Sequence, residues 1–267
     1  MIYATRTFPL EFPLKEADVC LLGVPWDSTE IGKSVKYGPL FIREALKGLE
    51  GFDPETKKNI FESKKFCDLG DIEIVPGNWT LTKERILDTI GYIFKINPKV
   101  FPVFLGGDHL ITLGILEAIK NKKPTIVHFD AHADLSSNWL GEENSHITWG
   151  YHALKMGFDI VQCGVRSMTK EENEFLEKNK IKKLEDINSP VYLTIDMDVF
   201  DPAFAPEVGT PEPLGLTPKE FFDLLKKVCR NQIIGMDIVE CASERINEPT
   251  ALLAGQIIKK VLLWNEK

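Results

Sequence analysis

Residues 125–134 read TIVHFDAHAD. The first five contain no Asp, Glu, Lys or Arg and are mostly β-branched or aromatic. A short apolar run of that kind reads as a strand buried on both faces, as in a parallel sheet. The last five place Asp130, His132 and Asp134 two residues apart. Side chains two apart share one side of a strand. Three groups able to bind metal would therefore face one way if the chain stays extended past Asp130.

Working outward, the same kind of run recurs at 19–24 (VCLLGV), 100–106 (VFPVFLG), 160–165 (IVQCGV), 192–200 (YLTIDMDVF) and 233–240 (IIGMDIVE). Between the runs lie stretches with apolar residues at helical spacing, over 81–93, 110–120, 170–179, 218–228 and 251–264. Thr217-Pro218-Lys219-Glu220 has the form of a helix start, with Thr217 as N-cap, Pro218 at N1 and Glu220 at N3. Strands alternating with helices predict an α/β fold, a three-layer α/β/α sandwich on a mainly parallel central sheet. No break in composition and no linker-like stretch divides 1–267, so one domain is expected.

Ligands in such sheets bind at the carboxyl ends of the strands, and here those ends are rich in chemistry. The 100–106 run leads into Gly106-Gly107-Asp108-His109, the 192–200 run contains Asp196-Met197-Asp198, and Glu240 closes the 233–240 run. All five histidines fall between 109 and 152. Several ionised carboxylates share a buried rim only if positive charge compensates them. Two divalent cations would do so, and mixed imidazole and carboxylate donors suit manganese, zinc, iron or nickel. A lone DxD or GGD is a weak signal; three such groups ending three apolar runs are not.

Composition narrows the partners. Lys and Arg number 32 against 40 Asp and Glu, a formal charge of −8. That sign disfavours nucleic acid or an anionic membrane as a partner and is compatible with a small cation. The five cysteines are widely spaced and none forms CxxC, which reads as reduced intracellular thiols. The first twenty residues do not resemble a signal peptide, and no apolar run approaches the roughly 18 residues of a membrane helix. A cytoplasmic protein is expected.

GGDH, DAHAD and DMDVFDP, in that order, resemble the signature motifs of the ureohydrolase family of arginases and agmatinases, and agmatinases most of all. GVPWD at 23–27, YGP at 37–39 with Ile42-Arg43, DLGD at 68–71, GVRS at 164–167 and MDIVE at 236–240 are similar too. The resemblance implies two manganese ions held by His109, Asp130, His132, Asp134, Asp196 and Asp198. His109 and Asp134 would hold one ion, His132 and Asp198 the other, with Asp130 and Asp196 between. It also implies that Glu240 clamps a guanidinium and that His146 shuttles a proton to the leaving amine. Ile147 departs from the small residue expected after that histidine. His128, Asp108 and Asp201 stay outside the ligand set, and His152 is expected to be structural.

The implied reaction is hydrolysis of a guanidino carbon–nitrogen bond to urea and an amine. The loop 135–149 (LSSNWLGEENSHITW) has Glu142 and Glu143 and no Lys or Arg, and it bears Trp139 and Trp149. An acidic, aromatic loop suits a cationic tail, which points to agmatine and putrescine. Arginine, aminopropylagmatine, guanidinobutyrate and formimidoylglutamate are the alternatives within the resemblance, along with a non-catalytic metal-binding paralogue. The resemblance further implies a homo-oligomer, trimer or hexamer. A single-zinc deacetylase-like enzyme would not need all six ligands, and a dinucleotide binder would need a GxGxxG that is missing after the first run.

Overall fold

The structure is a computed structural model and describes residues 11–28, 32–179 and 181–265. In chain order its elements are β1 (Val19–Val24), α1 (Gly38–Gly48), β2 (Phe52–Asp53), β3 (Lys58–Asn59), α2 (Ile60–Ser63), β4 (Phe66–Asp71), α3 (Trp79–Ile96), β5 (Phe101–Gly106), α4 (Ile111–Ile119), β6 (Thr125–Phe129), α5 (Trp149–Lys155), β7 (Asp159–Cys163), α6 (Lys170–Asn179), β8 (Val191–Asp196), α7 (Pro218–Val228), β9 (Ile233–Val239) and α8 (Pro249–Trp264). Seven strands form one sheet in the order β4-β1-β5-β9-β8-β6-β7, every neighbouring pair parallel. β2 and β3 form a separate small hairpin.

Alternation along each strand sends side chains into two cores. In β1, Val19 and Leu21 join the core that includes Ile42 and Leu46 of α1, Phe221 and Leu225 of α7, and Ile257 and Ile258 of α8. Cys20, Leu22 and Val24 join the opposite core, with Ile86 and Ile90 of α3, Ile115 and Leu116 of α4, and Trp149 and Ala153 of α5. Helices thus cover both faces, which is the expected three-layer arrangement. The predicted cap of α7 forms in full: Thr217 Oγ1 accepts from the Glu220 amide at 3.3 Å and Glu220 Oε2 accepts from the Thr217 amide at 2.9 Å.

The structure departs from expectation at several boundaries. β8 stops at Asp196, and Met197–Val199 is a 3-10 turn, not a continued strand. β7 spans Asp159–Cys163. β4, α1, α5 and the β2–β3 hairpin have no counterpart in the runs read from sequence. Arg43 of α1 reaches β4, with Nε 2.7 Å from Asp68 and Nη2 3.0 Å from Asp71.

Register decides where the site sits. Leu105 pairs with Ile238, Ile238 with Ile195, and Ile195 with Phe129. The carboxyl ends of β5, β9, β8 and β6, the four neighbouring strands around the middle of the sheet, are therefore level. Gly106, Val239, Asp196 and Asp130 follow directly on that line.

Candidate metal centre

The four level ends deliver the side chains that the sequence singles out. From the turn after β5, His109 sends Nδ1 to within 3.1 Å of Asp130 Oδ2, 3.3 Å of Asp134 Oδ2 and 3.2 Å of Asp196 Oδ2. His132 Nδ1 lies 2.9 Å from Asp198 Oδ2 and 3.5 Å from Asp130 Oδ1. Two groups of possible ligands result: His109, His128, Asp130 and Asp134 in one, Asp130, His132 and Asp198 in the other. Asp130 belongs to both, one oxygen toward each histidine. Asp196 lies nearer the His109 half, since its other oxygen accepts the Asp198 amide at 2.8 Å.

The aspartates do not converge in the way strand alternation predicts. β6 ends at Phe129, and Asp134 adopts a left-handed backbone with φ 53°. Asp198 is brought in by the 3-10 turn. Arg166 holds that turn, donating to the carbonyls of Asp198 at 2.7 Å, Val199 at 3.2 Å and Glu212 at 2.7 Å.

Tautomers separate ligands from supports. Gln162 Nε2 donates to His128 Nδ1 at 3.2 Å and to the Ala133 carbonyl at 2.7 Å. His128 must then carry its proton on Nε2, which donates to Asp130 Oδ2 at 2.7 Å. His128 thus orients Asp130 and has no nitrogen left for a metal. Thr194 Oγ1 donates to Asp237 Oδ1 at 2.6 Å, so it accepts from His109 Nε2 at 2.9 Å. That leaves His109 Nδ1 facing three carboxylate oxygens, an arrangement that needs a cation, either a proton or a metal, between nitrogen and oxygen.

The electrostatics agree. Asp130, Asp134, Asp196 and Asp198 are buried, and their recorded ion pairs are with histidine alone. Burial pushes Asp134 and Asp196 well above the carboxylate range, and neighbouring acids push them further. Asp198 is raised by the same causes. Burial opposes ionisation of Asp130 too, but the surrounding imidazoles outweigh it and hold it low. Burial disfavours charge on His109 and His132, yet the aspartates raise them to about 9 and about 12. Asp198 Oδ2 is buried, with the His132 ring 2.9 Å away. A rim with excess buried carboxylate and imidazole nitrogens aimed at the acids fits divalent ions.

A 170 Å³ pocket opens over the cluster, lined among others by His146, Glu240, Trp139, Ile147 and Thr210. Glu240 sits at φ 60°, its Oε1 accepting the His109 amide at 3.0 Å. Gly209 faces its other oxygen, and a Cβ at Gly209 would come within 2.6 Å of Oε2. Burial, then the nearby Asp108 charge, pushes Glu240 well above the usual range. Burial, then the charges of His109 and His132, pulls His146 down to about 4. It is a neutral imidazole at pH 7.

The loop 135–149 does not present the acidic, aromatic face that its sequence suggests. Trp149 is fully buried, stacked on His109 and bonded to Asp134, so it offers no face to a substrate tail. Glu142 and Glu143 are exposed and do not line the pocket. Trp139 does. His152 does not line the pocket; its Nε2 donates to the Glu143 carbonyl at 2.8 Å. Asp201 caps its own turn, accepting from the amides of Ala203 and Gly215. Asp108 braces the GGDH turn through Ser28 and Leu110. Cys241 is buried, whereas Cys163 is only half-buried.

Comparison with known proteins gives this geometry a family. The sequence profile described as "Arginase family" matches residues 17–188 and 179–264. The chain belongs to the arginase family. It is 36% identical over 276 residues to the N(1)-aminopropylagmatine ureohydrolase of Thermococcus kodakarensis, covering 96% of this chain and 95% of that protein. It is 36% identical over 285 residues to the agmatinase of Bacillus subtilis, covering 98% and 97%. The crystal structure of agmatine ureohydrolase from Thermoplasma volcanium superposes with a TM-score of 0.86 at 29% identity, covering 96% of this chain and 92% of that one.

Within this arginase-family site, sequence reasoning missed the supports. Gln162, Thr194 and Asp237 each lie inside an apolar strand run. A buried polar residue in such a run is the signal that could have found them. Asp237 accepts from Thr112, Thr194 and Tyr192, at 3.0, 2.6 and 2.8 Å. Trp149 gave no signal beyond its nearness to His146.

Proposed function

We propose that this protein is a ureohydrolase that cleaves agmatine to urea and putrescine with two divalent ions, manganese in the first instance. The observation that carries this reading is the cluster of four aspartates and two histidines beneath a pocket walled by Glu240 and His146, with no Lys or Arg lining it among the described residues. Arginine would bring a carboxylate that such a pocket leaves without a cationic partner. Agmatine brings none. The similarity to an agmatinase and an aminopropylagmatine ureohydrolase supports a guanidino compound with a cationic tail.

His109 and Asp134 would hold one ion, and His132 and Asp198 the other, with Asp130 shared and Asp196 between. Two divalent ions at such a site supply water deprotonated near neutral pH as a nucleophile. Glu240 pairs with the guanidinium; the incoming cation keeps its buried carboxylate ionised and fixes the carbon for attack. His146, neutral at pH 7, accepts a proton on attack and delivers it to the departing nitrogen. Trp139 and Thr210 flank the path of the tail.

The same reading takes 1–267 as one domain, working as a homo-oligomer in the cytoplasm. Among the described residues, no helix is long and apolar enough to cross a membrane.

The test is urea release from purified, manganese-loaded protein offered agmatine, arginine and aminopropylagmatine side by side, with a chelator control. Release from agmatine that the chelator abolishes is expected. Preference for arginine would overturn the reading of the pocket. No urea from any of the three would overturn the reaction.

A further inference from the structure

Trp149 opens α5 and is fully buried. Its indole lies nearly flat on the His109 ring, centroids 4.7 Å apart at 24°, and meets His128 edge-on at 4.8 Å. Its Nε1 donates to Asp134 Oδ2 at 2.8 Å. That oxygen is the one 3.3 Å from His109 Nδ1. The next residue grips the other end of Asp134: the Gly150 amide donates to the Asp134 carbonyl at 3.1 Å. The approach is close enough that a Cβ on Gly150 would stand 2.7 Å from that carbonyl. Asp134 needs such a grip, because a non-glycine residue at φ 53° sits in a sparsely populated region.

The contacts are one-sided. Trp149 stacks on His109, meets His128 edge-on and donates its N–H to Asp134 alone; it makes no ring contact or hydrogen bond with His132 or Asp198. We infer that Trp149 is a positioning residue whose N–H serves one half of the metal centre only: it fixes the Asp134 carboxylate, while the ring stacks on His109 and packs on His128. The two ions are therefore held with unequal support, the His109–Asp134 ion depending on an aromatic donor and the His132–Asp198 ion not. This rests on the two-ion reading above.

Manganese titration of the chelator-stripped full chain, read as free Mn2+ by electron paramagnetic resonance, tests it. Wild type is expected to bind two ions. Trp149→Phe keeps a ring and loses the donor; it should weaken one site by about 10- to 100-fold, as loss of an outer hydrogen-bond partner does, and leave the other unchanged. A general structural defect would weaken both. Wild type binding two ions with Trp149→Phe indistinguishable from it would overturn this inference alone. Wild type binding fewer than two would overturn the two-ion reading and this inference with it. Should Trp149→Phe not fold, tryptophan emission of a chain with Trp26, Trp79, Trp139 and Trp264 replaced by Phe, which leaves Trp149 as the one emitter, carries the test. One equivalent of metal should change that emission and the second should not; emission that neither equivalent alters would overturn the inference.

Discussion

Two clusters of charge in this molecule follow opposite rules. Near the β2–β3 hairpin, Lys260 Nζ lies 2.7 Å from Asp53 and 2.9 Å from Glu55, and Lys226 pairs with Glu55. Two acids meet two bases, and the group is neutral by itself. At the rim of the sheet, four buried aspartates have imidazoles as their ion-pair partners and no Lys or Arg among the described residues. The acids respond accordingly. Burial works against the Asp53 charge, but Lys260 and Thr56 outweigh it and hold the carboxyl at about 2. Asp134 and Asp196 are driven the other way by burial and by their neighbours. A cluster balanced within the chain serves the fold. One left unbalanced is completed from outside.

The sharpest way to break this contrast is Asp130→Asn. Asp130 faces both halves of the rim, so its loss should cut urea release by well over the roughly 100-fold that outer-shell partners account for. Measured metal content should fall with it. Near wild-type turnover would mean the rim is not the reaction centre. Next comes Glu240→Gln. Removing one charge from a buried pair costs about 2–5 kcal/mol, so kcat/KM for the guanidino substrate should drop at least about 30-fold. Metal content should hold, which would separate the substrate clamp from the ion ligands.

Asp53→Asn probes the balanced cluster. The folded pKa of Asp53 lies below its ordinary value of 3.8. Its stabilising contribution is thus fully present above about pH 4 and is lost as pH falls through about 2. Thermal unfolding of chelator-stripped protein should show wild type losing more stability than Asp53→Asn across that window, with the two curves parallel above it. Turnover at neutral pH should change little. The smallest effect is expected at Glu142→Gln with Glu143→Gln. Both side chains are exposed and outside the pocket, so KM for agmatine should stay within about twofold, in keeping with the small worth of solvent-exposed charges.

The rim was legible because β5, β6 and β8 carry no acid until they end, so the first aspartate marks the carboxyl end. TIVHF before Asp130 and VYLTI before Asp196 have that form. β4 was not legible. FCDLGD carries two aspartates and a glycine, poor strand formers, and it is tolerated as an edge strand with half its length exposed. Asp198 falls in a run that reads as continued strand, but it is brought beside Asp196 by a turn held by Arg166, which reaches across from after β7. The misplacement of Trp149 has a similar cause. Whether a loop tryptophan faces solvent or core depends on what folds over it, and no local pattern records that.

β9 is the last strand in the chain, yet it lies between β5 and β8. Until residues 233–239 arrive, those two strands have bare edges and His109 and Asp196 have no common wall. During synthesis, then, the acids and imidazoles that follow β5, β6 and β8 emerge before their common wall. The insertion of β9 closes the sheet, aligns its four ends and adds Glu240 in one step. On the two-ion reading, ion capture would be tied to near-completion of the chain, and a truncated copy ending before β9 should be a poor competitor for metal.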